Sequence, residues 1–239
     1  MIDLHSHLLP GIDDGAQTMD DSLELAYCAV RSGTTALVVT PHFHPGRYDN
    51  SLDTVEPVFR KFSEALVAEK IPLKIYLGAE VRLSVELMSM LASEKIPMPC
   101  RWEGKKVLLL ELPHSHIPAG SEQLVKWLIN KNVIPMVAHP ERNKEIMADP
   151  SRLAPLVMQG CLLQITASAV HGGFGAGAQR LSNWLIEQDL ATVIASDGHN
   201  MRARPPTMLE GYEYLRGVYG ETVANKLSID TPKMLLNIC

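Results

Sequence analysis

Seven short apolar runs rich in β-branched residues recur along the chain, and longer segments with helical periodicity separate them. This alternation constrains the fold more than any other feature of the sequence. The runs are 2–8, 35–40, 73–78, 106–112, 133–138, 161–166 and 191–196. The helical segments between them are 21–32, 55–69, 84–93, 121–131, 151–159 and 177–188. Strands that are apolar almost throughout must be covered on both faces, and parallel pairing needs crossover helices to do it. An α/β fold with a parallel sheet is therefore expected.

The polar residues choose between an open and a closed sheet. The first run leads into His5 and His7, the second into His42 and His44, the third into Glu80, the fourth into Glu111, the fifth into His139 and the last into Asp197 and His199. Six of seven strand ends thus carry a candidate ligand. An open doubly wound sheet gathers its site at one switch point, whereas a parallel barrel brings every C-terminal strand end to one face. A TIM-like barrel with its site on that face is predicted. A chain of 239 residues that is 46% hydrophobic, with no linker, repeat or low-complexity stretch, reads as a single domain over 1–239.

Composition narrows the partners. Lys and Arg number 22 against 27 Asp and Glu, a net charge of −5 without a basic stripe, which argues against nucleic acid as a partner. Cys28, Cys100, Cys161 and Cys239 are scattered without paired spacing, as in a reducing compartment. The opening Met-Ile-Asp-Leu-His lacks a secretory pattern, and no run approaches the roughly eighteen apolar residues of a membrane span. The cytoplasm is the expected location, with no membrane insertion.

His5 and His7 lie two apart at a strand end, so both reach one side. Asp13-Asp14-Gly15 follows, with Asp14 a candidate ligand and Asp13 read as a solvated turn or helix cap. Of the second His-x-His pair, His42 lies nearer the strand and is the better ligand, while His44 is left open between supporting the ligands, facing substrate and simple exposure. Glu80 and Glu111 end apolar strands, where an unpaired carboxylate would be costly. For Glu80 the structural alternative is an ion pair with Arg82. His114 and His116 sit in a Pro-flanked loop and read as rim residues. His139 heads Pro140-Glu141-Arg142, where Arg142 is a candidate phosphate clamp unless it pairs with Glu141 or Glu145. Asp197 and His199 complete the set, and Arg204 precedes a stiff Pro-Pro.

His5, His7, His42, His139, His199, Asp14, Glu80, Glu111 and Asp197 exceed the three or four ligands of one zinc ion. Two or three divalent ions use them naturally and leave a net positive centre suited to a phosphate dianion. Cysteine-based dephosphorylation is excluded, because six residues after Cys28, Cys100 and Cys161 stand Thr34, Lys106 and Ala167 where an arginine is needed. No serine elbow is present. The Gly-rich segment 172–177 reads as a loop outside the strand-and-helix setting of a phosphate-binding turn.

The ordered set His-Ser-His, Asp-Asp-Gly, Pro-His, Gly-Ala-Glu, Ala-His-Pro-Glu-Arg, Ala-Ser-Asp-Gly-His-Asn and Arg-Pro-Pro resembles the polymerase and histidinol phosphatase (PHP) superfamily. More closely it is similar to the bacterial capsule-type tyrosine-protein phosphatases of the CpsB/YwqE group, over nearly the whole chain. The resemblance implies a distorted (β/α)7 barrel and a trinuclear centre. Manganese is the expected ion, with iron, zinc, magnesium and cobalt as alternatives. It implies His5, His7, Glu80 and Asp197 on one ion, Glu80 bridging to a second held by Glu111 and His139, and Asp14, His42 and His199 on the third. Arg142 and Arg204 match arginines near the phosphate. The implied substrate is phosphotyrosine on the C-terminal tail of a bacterial tyrosine kinase that controls capsular or exopolysaccharide synthesis.

The expected chemistry is metal-assisted phosphomonoester hydrolysis without a covalent enzyme intermediate, with His42 or His199 assisting only where not committed to metal. A small-molecule phosphatase such as histidinol-phosphate phosphatase is the first alternative. A non-catalytic metal-bound docking module is the second. The sequence leaves a homo-oligomer open.

Overall fold

All seven apolar runs form strands in the computed structural model, which describes residues 1–238. The described residues contain ten strands, of which the seven runs supply β1, β2, β4 and β7 to β10: β1 (Ile2–Ser6), β2 (Ala36–Val39), β3 (His42–Phe43), β4 (Lys74–Leu77), β5 (Glu80–Arg82), β6 (Arg101–Trp102), β7 (Lys105–Glu111), β8 (Val133–Ala138), β9 (Leu162–Thr166) and β10 (Val193–Ala195). Two runs are followed by a second short strand. The chain leaves β2 at Val39 and resumes pairing at His42, and it leaves β4 at Leu77 and resumes at Glu80.

Parallel strands β1-β2-β4 make one sheet, and the parallel order β10-β9-β8-β7-β5-β3 makes the path of the other. Only β6 is antiparallel, pairing with β7 through a tight hairpin. The sheets are joined covalently by the two interrupted runs. They also approach each other at the opposite edge, where Ser6 bridges Gly198 in parallel and the His7 amide donates to the Gly198 carbonyl at 2.8 Å. Register aligns the ligand candidates across strands: His42 stands opposite Glu80, and Glu111 opposite both Arg82 and Ala138, the residue before His139. Between Asp3 and Ser6 the register of β1 slips. Such a bulge re-aims a strand, and here it does so where His5 and His7 begin.

The period-2 pattern divides the core. Val38, Val107, Leu109, Met136, Leu162 and Val193 belong to an apolar cluster closed by Leu235 and Leu236 of the helix Thr231–Leu236. Leu37, Val39, Leu108, Leu110, Val137, Leu163 and Ile165 join a larger cluster with the helices. Removing both layers of side chain from water is the main stabilising contribution, at roughly 25 cal/mol per Å² of apolar surface.

Helices cover the expected segments with shifted ends: Met19–Arg31, Leu52–Ala68, Leu87–Ala92, Ser121–Asn130, Ala154–Met158 and Gly175–Glu187. The first starts early because Thr18 and Asp21 form a reciprocal capping box. The segment expected as a loop over 172–177 is helical from Gly175 onward. The last forty or so residues, for which periodicity gave no helix, contain the helices Leu209–Tyr219, Glu221–Asn225 and Thr231–Leu236. Cys28, Cys100 and Cys161 are free and buried, and Cys239 lies outside the described residues. Among those residues no helix is long and apolar enough to cross a membrane.

Candidate metal centre

Because the strands run the same way, their C-terminal ends bring the predicted ligands together. His5 and His7 are fully buried, and their Nε2 atoms face each other at 3.1 Å. Each ring is oriented from behind: Gln164 Oε1 lies 2.8 Å from His5 Nδ1, and Asp13 Oδ2 lies 2.7 Å from His7 Nδ1. With the Nδ1 protons donated to these acceptors, both Nε2 lone pairs point at one spot. Glu80 Oε2 stands 3.4 Å from each Nε2, and Asp197 Oδ1 stands 3.3 and 3.4 Å from them.

Facing lone pairs and carboxylates repel unless a cation lies among them. Ligands held about 2.0–2.1 Å from one ion are about 2.9–3.4 Å apart, which is the spacing found here. Glu80 Oε2, Asp197 Oδ1 and His199 Nε2 are buried without a hydrogen bond among the described residues. Buried polar atoms are seldom left so. All donors are nitrogen or oxygen, the set that suits manganese, iron, zinc or magnesium better than thiophilic ions. The residues therefore fit divalent cations.

Two further groupings adjoin this cage. His7, Asp14, His42 and His199 offer donor atoms within 4.8 Å of one another, as do His42, Glu80 and Glu111. His42 reaches both, with Nδ1 2.8 Å from Glu80 Oε2 and Nε2 3.2 Å from Asp14 Oδ1. His139 Nε2 meets the other oxygen of Glu80 at 2.9 Å. The geometry thus draws His42 toward Glu80 and Glu111 as well as toward Asp14 and His199, which the sequence-based partition did not foresee.

The backbone is bent to make these contacts. His139 and Asp197 adopt left-handed conformations, with φ of 33° and 52°. Such strain costs roughly 1–3 kcal/mol per residue and gathers at functional sites. Gly15 closes the Asp-Asp-Gly turn so tightly that a Cβ there would lie 2.0 Å from the His7 carbonyl oxygen.

Electrostatics follow from burial and crowding. Burial depresses His42, but the Glu80 carboxylate and the contact with Asp14 outweigh it and raise the imidazole to about 9. Burial and the Arg142 charge push His139 down to about 4. Burial and the neighbouring His7 push His199 down to about 3. Glu80 and Asp197 are held well below the usual carboxylate range because surrounding imidazoles, led by His5, outweigh their burial.

The arginines sit beside the cage. Arg142 Nη1 donates to Asp197 Oδ2, and Arg204 Nη1 lies 3.5 Å from the same oxygen while its Nη2 lies 3.6 Å from Asp14 Oδ2. The alternative pairings do not occur: Arg142 pairs with neither Glu141 nor Glu145, and Arg152 holds Glu145 at 2.7 Å. Arg82 pairs with Glu111 at 2.9 Å rather than with Glu80. His114 and His116 are exposed and His44 half-buried, all outside the three donor groups.

One assignment is corrected. Asp13 is buried, and besides His7 it accepts from the Gly15 and His42 amides at 2.9 Å each, so it is neither solvated nor a helix cap. Sequence reasoning also missed Gln164, although a lone polar residue within Leu162-Leu163-Gln164-Ile165 was a usable signal. Tyr48, stacked on His42 at 5.4 Å, had no such signal.

Comparison with known proteins gives the family. The chain is 36% identical over 237 residues to the tyrosine-protein phosphatase YwqE of Bacillus subtilis, covering 99% of this chain and 92% of that protein. It is 26% identical over 245 residues to the tyrosine-protein phosphatase CpsB of Streptococcus pneumoniae, covering 99% and 98%. A crystal structure from the work on YwqE and CpsB, described as metal-dependent tyrosine phosphatases, superposes with a TM-score of 0.91 at 36% identity, covering 99% of this chain and 94% of that one. A lactonase of Listeria monocytogenes shares only the fold, with a TM-score of 0.56 at 10% identity over 98% of this chain and 94% of that one. The family model described as capsular polysaccharide synthesis, CpsB/CapC, matches residues 1–237, and the chain belongs to that family.

Proposed function

We propose that this chain is a metal-dependent protein-tyrosine phosphatase whose substrate is phosphotyrosine on the C-terminal tail of a bacterial tyrosine kinase. The kinase would control capsular or exopolysaccharide synthesis, and the reaction would take place in the cytoplasm. The observation that carries this reading is the double role of Asp197: Oδ1 faces His5 and His7, while Oδ2 meets Arg142 and stands 3.5 Å from Arg204. One carboxylate thereby links a cation cage to a pair of anion-binding guanidinium groups. The family's connection with capsular polysaccharide and the activity of YwqE and CpsB support the substrate class.

His5, His7, Glu80 and Asp197 would hold one ion, Glu80, Glu111 and His139 a second, and Asp14, His42 and His199 a third, manganese being the ion we favour. Bound divalent ions supply positive charge against phosphoryl oxygens and make water acidic enough to attack at neutral pH. Arg142 and Arg204 orient the phosphate and neutralise charge as it spreads over the equatorial oxygens. His199 donates Nδ1–H to the Asp197 carbonyl at 2.8 Å, which turns its Nε2 lone pair toward Asp14. It therefore serves as a ligand and not as a proton donor. Tyrosinate, the conjugate base of a group with a pKa near 10, leaves without strong acid assistance. We further propose that the seven runs close into a distorted (β/α)7 barrel, as the contact of Ser6 with Gly198 suggests.

The test is a comparison of kcat/KM on a phosphotyrosine peptide, the matching phosphoserine peptide and histidinol phosphate at fixed manganese. Preference for the phosphotyrosine peptide is expected. Preference for histidinol phosphate would overturn the substrate assignment while leaving the metal centre intact.

A further inference from the structure

We propose that Phe174 is an aryl-binding wall of the substrate site, a specificity residue that meets the phenyl ring of the substrate while covering one face of Arg142. The proposal rests on the reading of the chain as an aryl-phosphate phosphatase. The Gly-rich segment after β9 supplies the residue: Phe174 lies between Gly172 and Gly175, whose φ values of 99° and 85° only glycine adopts readily. The tight path brings a phenyl ring back toward the C-terminal strand ends, with its centre 4.5 Å from Arg142 Cζ.

Packing does not account for the ring. Of the four phenylalanines, Phe43 and Phe62 are fully buried and Phe59 packs against the main core. Phe174 is only half-buried and belongs to neither apolar cluster. Its ring lies against the guanidinium of Arg142, a side chain that is itself only 10% exposed.

The geometry divides the work on Arg142. One edge of its fork is committed to Asp197, the ring covers a face, and the remaining edge is left to donate to a phosphate. A phosphate gripped on that edge holds its ester substituent a few ångströms from the guanidinium. Aromatic rings interact favourably at centroid separations of about 4.5–7 Å, so a phenyl substituent falls within reach of the exposed part of Phe174. A serine phosphate offers a methylene there and gains little. Preference for aryl over alkyl phosphates at the binding step then comes from the wall and not from the ions, which meet the same head group in both.

Calorimetric binding of phenylphosphonate and methylphosphonate to the manganese-loaded protein tests this without turnover, since both carry the same head group on a bond the enzyme does not hydrolyse. Wild-type protein should prefer phenylphosphonate. Phe174→Ala should weaken phenylphosphonate about 3- to 10-fold and methylphosphonate less than about 2-fold, whereas Phe174→Tyr should keep the preference. Equal weakening of both ligands would mean that the ring acts only through Arg142, and it would overturn the proposal, as would an unchanged preference in Phe174→Ala. If neither phosphonate binds the metal-loaded wild-type protein, the phosphatase reading itself falls and the wall with it.

Discussion

Asp13 accepts a hydrogen bond from His7 Nδ1 at 2.7 Å and thereby decides which nitrogen of His7 faces Glu80 and Asp197. Burial alone would raise the Asp13 carboxyl, but its contacts with His7 and His42 hold it at about 2, so it remains an acceptor across the physiological range. Partners that orient a ligating histidine in this way commonly contribute 10- to 100-fold in metal affinity. Asp13→Asn should keep the fold, by circular dichroism, and lose about that much manganese affinity in competition with a chelator. Unchanged affinity would show that the ring orients itself.

Chelation should abolish hydrolysis of an aryl phosphate, and manganese should restore it, because nine nitrogen and oxygen donors without a thiolate converge on one face. Elemental analysis before and after chelator treatment checks this. Full activity in demonstrably metal-free protein would remove the basis of the functional reading.

Ligand and clamp should fail differently. Asp197→Ala removes a donor that lies 3.3 and 3.4 Å from two imidazoles, so bound metal and activity should fall together. Arg204→Ala should retain metal and lose about 10²-fold in kcat/KM, the scale of one positioned charge-stabilising donor. Arg204 is 26% exposed at its side chain, which makes gross unfolding an unconvincing explanation for such a loss. Equal metal depletion in the two variants would place Arg204 in the ligand set.

The buried thiols give a pH prediction away from the centre. Burial pushes Cys100 and Cys161 up to about 12, well above the unfolded value near 8.5. A pKa raised on folding contributes stability that is present below the unfolded value and is lost as pH rises toward the folded one. Urea midpoints should therefore fall between about pH 9 and 11, less steeply in a Cys100→Ala, Cys161→Ala double variant. At pH 8 neither thiol should react with iodoacetamide until the chain unfolds. Parallel slopes for wild type and double variant would contradict the assignment.

Much of this architecture is legible in sequence because it rests on local periodicity. The seven apolar runs become strands, and Val133–Ala138 has the expected bounds, since both faces of a parallel strand are buried and its side chains record that directly. The interruptions at Thr40-Pro41 and Gly78-Ala79 were not legible, nor were the C-terminal helices, each too short for its few buried residues, such as Leu215, Ala224 and Leu235, to establish a period. Phe174 was invisible for another reason. A glycine-rich segment has no preferred path of its own, and the contact of its aromatic residue with Arg142 exists only in the folded chain.

The sequence by itself determined that histidines and carboxylates end the strands, because strand ends and ligand types are both local properties of the chain. Tertiary structure alone decided which of them meet: that Arg82 takes Glu111 and leaves Glu80 to His42 and His139, that Arg142 turns to Asp197, and that Asp13 is buried behind His7. Apart from Asp13 and His7, these pairings join residues roughly thirty to sixty positions apart. Strand register and crossover packing set such pairings, and no spacing along the chain records them.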